Sequence, residues 1–208
     1  MIENKKYELT NETIEYGIYT LHRIRALKDF GSVNAGELGG WVESQYNLSQ
    51  DGDCWIYNDA KVFDGARILD SASVCDAAKI YGHAMVRDNA IVFGCATIRD
   101  SATVRGYAAV WDSAIISGCA EVDSYAKICD NALVLRNADY VVVQGFGRVQ
   151  RAITFFKLQD GDIGVSCGDF HGTVKQFRDN VKEMYGGTKY AQEYLMIADL
   201  IELHFEEK

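Results

Sequence analysis

The stretch 84–104, AMVRDNAIVFGCATIRDSATV, repeats every six residues. Alanine stands at Ala84, Ala90, Ala96 and Ala102, and a β-branched aliphatic follows two places later at Val86, Val92, Ile98 and Val104. Working outward, alanine recurs from Ala60 to Ala138 fourteen times without a miss, and Val or Ile follows the first thirteen. A third position is usually Asp or Gly, as at Asp64, Asp70, Asp76, Gly82, Asp88, Gly94, Asp100, Gly106, Asp112 and Gly118. The pattern A-x-[VI]-x-[DG]-x starts one step earlier at Cys54-Trp55-Ile56 and slips at Tyr140.

A period of six does not match the 3.6-residue period of an amphipathic helix. Residues two apart share one side of a strand, so Ala and Val or Ile face inward together. The Asp or Gly position suits a corner: Gly tolerates positive φ, and Asp hydrogen-bonds its own following backbone. Each hexad therefore reads as one short strand and one bend, and residues 48–138 as a parallel β-solenoid. The chain of 208 residues contains no proline. This fits a fold made largely of sheet, whose interior excludes that residue.

The hexad resembles that of the hexapeptide-repeat proteins. That resemblance implies a left-handed β-helix with three hexads per triangular coil, hence about five coils here, stacked to roughly 24 Å at the usual strand spacing. The family pattern often places Gly directly after the aliphatic residue, whereas here Gly or Asp comes one place later.

Residues 1–47 lack the repeat and are expected to form an N-terminal β cap over the open end of the solenoid, since a bare ladder is a pairing hazard. Residues around Tyr16–Arg25 look like strand material, and Gly36-Glu37-Leu38-Gly39-Gly40-Trp41 like a glycine-rich bend. Residues 139–208 predict a small α+β unit. Three strands are expected at Val141–Val143, Ile153–Phe156 and Ile163–Val165, with an Asp160-Gly161 hairpin between the last two. A capping box at Thr173-Val174-Lys175-Gln176 opens a first helix, which stops at Gly186-Gly187. A second begins near Thr188, with Tyr190, Tyr194, Ile197, Ala198, Ile201 and Phe205 on one stripe.

The flanks carry a second resemblance. LGGWVE at 38–43, NLS at 47–49, CGDFHGTVKQF at 167–177 and KYAQEY at 189–194 look like segments of a group of phage and prophage proteins whose repeat is like that of the bacterial YdcK-type proteins. That resemblance implies a phage-encoded protein acting in the host cytoplasm. The similar segments usually carry Cys where this chain has Asp169.

Composition narrows the function. Thirty acidic against 21 basic side chains leave a net charge of −9, which argues against a general nucleic-acid footprint. No apolar h-region follows the N-terminus and no run approaches the 18 apolar residues of a membrane span, so a cytoplasmic protein is expected. The six cysteines form no CxxC pair or zinc spacing and read as reduced thiols. No phosphate-binding glycine loop or serine-nucleophile motif occurs, and no metal or cofactor is expected.

Many hexapeptide-repeat proteins are acyltransferases that use a histidine base and a loop interrupting the solenoid. Here the repeat runs uninterrupted and His83, at a corner, is the one histidine inside it. His83 is therefore the candidate base if the chain is an acyl-CoA-dependent acyltransferase. His22, His171 and His204 lie outside the repeat, which excludes a three-histidine zinc site within it.

With three hexads per coil, outward residues 18 apart stack into columns. One face then carries Trp55, Tyr57, Ile91, Phe93 and Trp111, broken by Ser73 and Lys127. Such an apolar ladder exceeds what a soluble monomer leaves in water. Either the C-terminal helices fold over it or another subunit does, so a homo-oligomer, trimer or dimer, is expected. Another face carries Arg67, Arg87 and Arg105, whose guanidinium forks suit an anion. The expectation is a non-catalytic binding or scaffold protein that counters a host defence by holding a host protein or a small anionic signal. The alternative is the acyltransferase.

Overall fold

The computed structural model describes residues 5–206. Fourteen two-residue strands, β4 (Trp55–Ile56) through β17 (Leu133–Val134), recur every six residues and form a mainly β structure with a β-solenoid of about five turns. Pairing is parallel and joins residues 18 apart: Trp55 to Ser73, Ser73 to Ile91, Ile91 to Ala109, Ala109 to Lys127. The strands sort into three sheets, one per face, in which every third strand neighbours the next. The coil of three hexads is thus the observed repeat.

Inside, each repeat alanine from Ala60 to Ala132 and each Val or Ile of the hexad is buried, whereas Ala138, where the repeat ends, is exposed. Alanine is the size limit of the narrow interior, because a packed core tolerates no extra methylenes without strain. The corners do something other than the expected local Asp turn. Asp64, Asp70, Asp76, Asp88, Asp100, Asp112 and Asp130 all adopt the left-handed conformation, with φ between 56° and 60°. Instead of closing on its own following backbone, the carboxylate of Asp70, Asp76, Asp88, Asp100 and Asp112 reaches one coil further. Asp70 accepts from the N–H of Asp88 at 3.2 Å, and Asp76 from that of Gly94 at 3.0 Å. Asp is chosen because it tolerates this conformation and supplies an acceptor for a donor that the two-residue ladder leaves unpaired.

At the N-terminal end, β1 (Tyr7–Tyr16) and β2 (Tyr19–Ala26) make a hairpin around Gly17-Ile18, and β2 pairs antiparallel with β3 (Leu38–Val42). The glycine-rich segment is therefore a turn at Gly36, with φ +89°, followed by a strand from Leu38 rather than a bend throughout. β3 runs parallel to Lys61–Val62 and extends one solenoid face into an eight-stranded sheet. Its glycines are needed for close approach. A Cβ on Gly39 would lie 2.6 Å from the Ile56 carbonyl oxygen, and one on Gly40 2.6 Å from that of Ala60. Below the hairpin, the buried Lys6 ammonium donates to the carbonyls of Asp51, Gly52 and Cys54. Burial pushes its pKa down, against the pull of Cys54, Asp53 and Asp51.

The C-terminal end closes on a four-stranded antiparallel sheet, β18 (Tyr140–Val143), β19 (Ile153–Lys157), β20 (Ile163–Cys167) and β21 (Phe170–Thr173). The fourth strand, FHGT, is short and polar with a glycine, so it lacks the alternating apolar signal that marks the other three. A tight turn at Gly168, with φ +64°, folds it back onto β20. The Asp160-Gly161 hairpin joins β19 and β20 as expected.

β19 reads two ways along its length. Phe156 and, just beyond it, Leu158 pack into the end of the solenoid core, and Thr154 accepts the Lys127 N–H at 2.9 Å. Ile153 and Phe155 point the other way, onto α1 (Val174–Tyr185) and α2 (Lys189–Phe205). Period-two alternation lets one strand plug the solenoid and found a second core. Thr173 caps α1 in a capping box with Gln176, and Thr188 caps α2. On α2 the inward face is Ala191, Tyr194, Ile197, Ala198, Ile201 and Phe205. Tyr190, expected inward, is exposed at 39%, because Ala191 occupies the inward position in that turn. The two helices cover the C-terminal sheet and do not fold over the apolar solenoid face, contrary to one of the two coverings expected for it. Among the described residues no helix is long and apolar enough to cross a membrane.

Candidate functional site

The solenoid face that carries the aromatic ladder is covered at both ends by the chain itself. Trp55 is fully buried beneath Tyr7 and Phe30, with ring centroids at 6.2 and 5.4 Å. Tyr57 shares a hydrogen bond at 3.1 Å with Ser32. Phe93 and Trp111 stack on each other at 5.6 Å, and the His171 ring meets Trp111 edge-on at 5.2 Å. Ile91 alone of the five projects freely, at 44% exposure. The five residues therefore do not form one open surface.

The arginine column divides likewise. Arg67 is exposed on its strand, while Arg87 and Arg105 occupy the neighbouring column one coil apart. Arg105 is neutralised by Asp123 at 2.9 Å and Glu121 at 3.4 Å. His83 is an exposed corner whose imidazole lies over Gly65, where a Cβ would meet Nδ1 at 2.5 Å. Among the described residues His83 has no side-chain hydrogen-bond partner, so nothing orients it as a base.

A thiol cluster lies nearby. Asp112, Cys129 and Asp130 converge, with ligand atoms within 4.8 Å of one another, and the Cys129 Sγ sits 3.6 Å from His171 Nδ1. Burial pushes the Cys129 thiol up, and Asp130 and Asp112 add to the shift. A thiol held protonated is a poor nucleophile at neutral pH. Asp112 is meanwhile engaged in the corner ladder, accepting the Asp130 N–H at 3.2 Å. Through Cys129 and Trp111, His171 on β21 joins the C-terminal sheet to the solenoid.

That docking opens a cleft between the two. Its first compartment, about 310 Å³, is lined by Tyr107, Tyr125 and Lys127 from the solenoid and by Gln144, Arg151, Ala152, Gly168 and Asp169 from the C-terminal sheet. A second, about 390 Å³, lies beyond Arg151, with Cys167, Phe170, Tyr185 and Tyr194 in its wall. Arg151, Gly168 and Asp169 belong to both. The Arg151 guanidinium lies over Gly168, where a Cβ would meet it at 2.8 Å. Tyr194, pushed up to about 12 mainly by burial, stays a neutral phenol. Its hydroxyl comes so near Gly147 that a Cβ there would fall 1.7 Å away.

Sequence reasoning passed over this cleft, yet one signal pointed to it. The position just before the repeat alanine holds small or polar residues, or His83, everywhere from Asp59 to Asn131 except at Tyr107 and Tyr125. These two departures are 18 apart and so fall in one column.

No family model matches the chain. Over 49 residues it is 39% identical to the uncharacterized acetyltransferase YdcK of Escherichia coli (strain K12). That stretch is 24% of this chain and 15% of the length of the curated relative.

Proposed function

We propose that the chain is a non-catalytic binding module that holds a small anionic ligand in the cleft between the solenoid and the C-terminal sheet. The observation that carries this is a charge imbalance. Arg105 and Arg178 are each met by two carboxylates. Lys127 and Arg151, which face the cleft, have no carboxylate partner within ion-pair distance among the described residues. Two uncompensated cations on a protein of net charge −9 favour an anion that supplies the missing charge. Thermal unfolding with inorganic phosphate and pyrophosphate tests the reading. A ligand at 100 times its dissociation constant adds about 2.7 kcal/mol, and the gain should vanish in the variant Lys127→Gln, Arg151→Gln. Unfolding that ignores these anions sinks it.

A second reading, acyl transfer from acyl-CoA, is favoured by the 49-residue match to a protein named as an acetyltransferase. It would require His83 to act as the base for the acceptor. Turnover of acetyl-CoA by the native chain, lost in His83→Ala, would establish it over the binding reading. Homo-oligomerisation, as dimer or trimer, is part of the proposal, through the solenoid face on which Ile91 stays exposed.

A further inference from the structure

We propose that the ligand of the cleft is a nucleoside phosphate, its base laid on the Tyr107–Tyr125 column and its phosphate held by Arg151 and Lys127. This rests on the reading of the cleft as an anion site and names the class of anion.

The argument is a comparison among aromatic stacks. The solenoid spacing brings side chains 18 apart face to face, so stacked rings alone signify nothing. Phe63 and Tyr81 stack at 5.1 Å, and Tyr16 and Tyr19 of the N-terminal hairpin cover Phe63. Phe93 and Trp111 stack at 5.6 Å and are met by His171. Tyr107 and Tyr125 stack at 5.3 Å with planes 7° apart, and no other ring of the described chain meets them. They remain 59% and 53% exposed, and both line the cleft. It is thus the one such stack in the described solenoid that the fold leaves open, and it lies in the same compartment as Lys127 and Arg151.

A stacked aromatic pair beside a guanidinium and an ammonium matches a ligand that is planar at one end and anionic at the other. Bases stack on aromatic side chains without regard to sequence, and an arginine fork pairs with phosphate oxygens. The remaining lining fits the middle of such a molecule. The Gln144 amide offers both a donor and an acceptor to a base edge. The Asp169 carboxylate repels phosphate but accepts from sugar hydroxyls or an exocyclic amine. The two compartments together fall in the volume range of small-molecule sites.

Calorimetric titration of the intact chain with adenosine and guanosine monophosphates, the corresponding nucleosides, inorganic phosphate and pyrophosphate tests the proposal. At least one nucleotide should bind at least about tenfold more tightly than either its nucleoside or inorganic phosphate. The variant Tyr107→Leu, Tyr125→Leu should lose that advantage while still binding pyrophosphate, and Arg151→Gln should weaken nucleotide and pyrophosphate alike. Both tyrosines point outward from the solenoid, and circular dichroism verifies that the variants fold. Nucleotides that bind no better than the bare anions overturn this inference and leave the anion site standing. A nucleoside as tight as its nucleotide overturns the phosphate contact. No binding by any of the compounds overturns both the inference and the reading beneath it.

Discussion

The carboxylate of Asp100 accepts a hydrogen bond from the backbone N–H of Gly118 at 3.0 Å, one whole coil away. Both residues have positive φ, 60° and 62°, so the corner conformation and the inter-coil bond come as a pair. Asp100→Ala removes the acceptor and places a Cβ-bearing residue in the left-handed region without local support. A loss of about 1–3 kcal/mol is expected in urea unfolding. Asp100→Asn keeps both an acceptor and tolerance of that conformation, and should cost clearly less. Equal losses for Ala and Asn would show that the bond contributes nothing.

Ala96 is fully buried in the middle of the solenoid. Ala96→Leu adds three carbons where the opposing faces leave room for a methyl group. Overpacking on this scale costs about 1–3 kcal/mol, read as a lower melting temperature. An unchanged transition would mean that the interior is wider than the burial implies.

Thiols set an alkaline limit. Burial, reinforced by Asp76, pushes the Cys75 thiol from 9.0 up to about 11, and burial likewise raises Cys129, Cys167 and Cys54. A raised folded-state value means that the native protein keeps a proton the unfolded chain releases. The contribution is therefore whole below about pH 9 and is lost as pH rises from there toward each folded value. The melting temperature should fall between pH 9 and 11, and less steeply in Cys75→Ala, Cys129→Ala. An identical pH profile for parent and variant would remove the thiols as the cause.

Gly147→Ala should loosen the C-terminal unit. The new methyl group collides with the Tyr194 phenol at a residue whose φ is +69°. Limited proteolysis should cut the segment between β18 and β19 sooner in the variant, while the circular dichroism of the solenoid persists. Cleavage at the parental rate would count against the packing described.

Ile91→Glu probes self-association. The side chain projects outward at 44% exposure, so a carboxylate there leaves the fold intact and puts a charge into any subunit contact. The native chain should scatter light as an oligomer and the variant as a smaller species. A native chain that is already monomeric contradicts the proposal.

What sequence made legible depended on how local the cause was. The period of six is repeated in every hexad, so the strands and the buried alanines could be read from spacing alone, and the three-hexad coil followed from the resemblance to the hexapeptide-repeat proteins. The coverage of Trp55 by Tyr7 and Phe30 could not, because it depends on where the N-terminal segment, 25 or more residues upstream, comes to rest. The cleft is less local still. Tyr125 and Arg151 become neighbours only because Phe156 and Leu158 plug the last coil and His171 pins the sheet beside Trp111. The fourth strand escaped notice because Phe170–Thr173 is paired by a turn rather than marked by apolar alternation.

The 18-residue pairing acts as an angular scale as well as a linear one. Each hexad advances the chain by one face, or a third of a revolution about the solenoid axis. Loss or gain of a complete coil would shorten or lengthen the spindle yet return the C-terminal sheet to the same bearing, with an equivalent column beneath it. Loss of a single hexad would leave nearly the same core but swing that sheet onto a different face, away from the tyrosine column. Chain length between the two ends is therefore free to vary in steps of three hexads, whereas the existence of the cleft depends on the remainder.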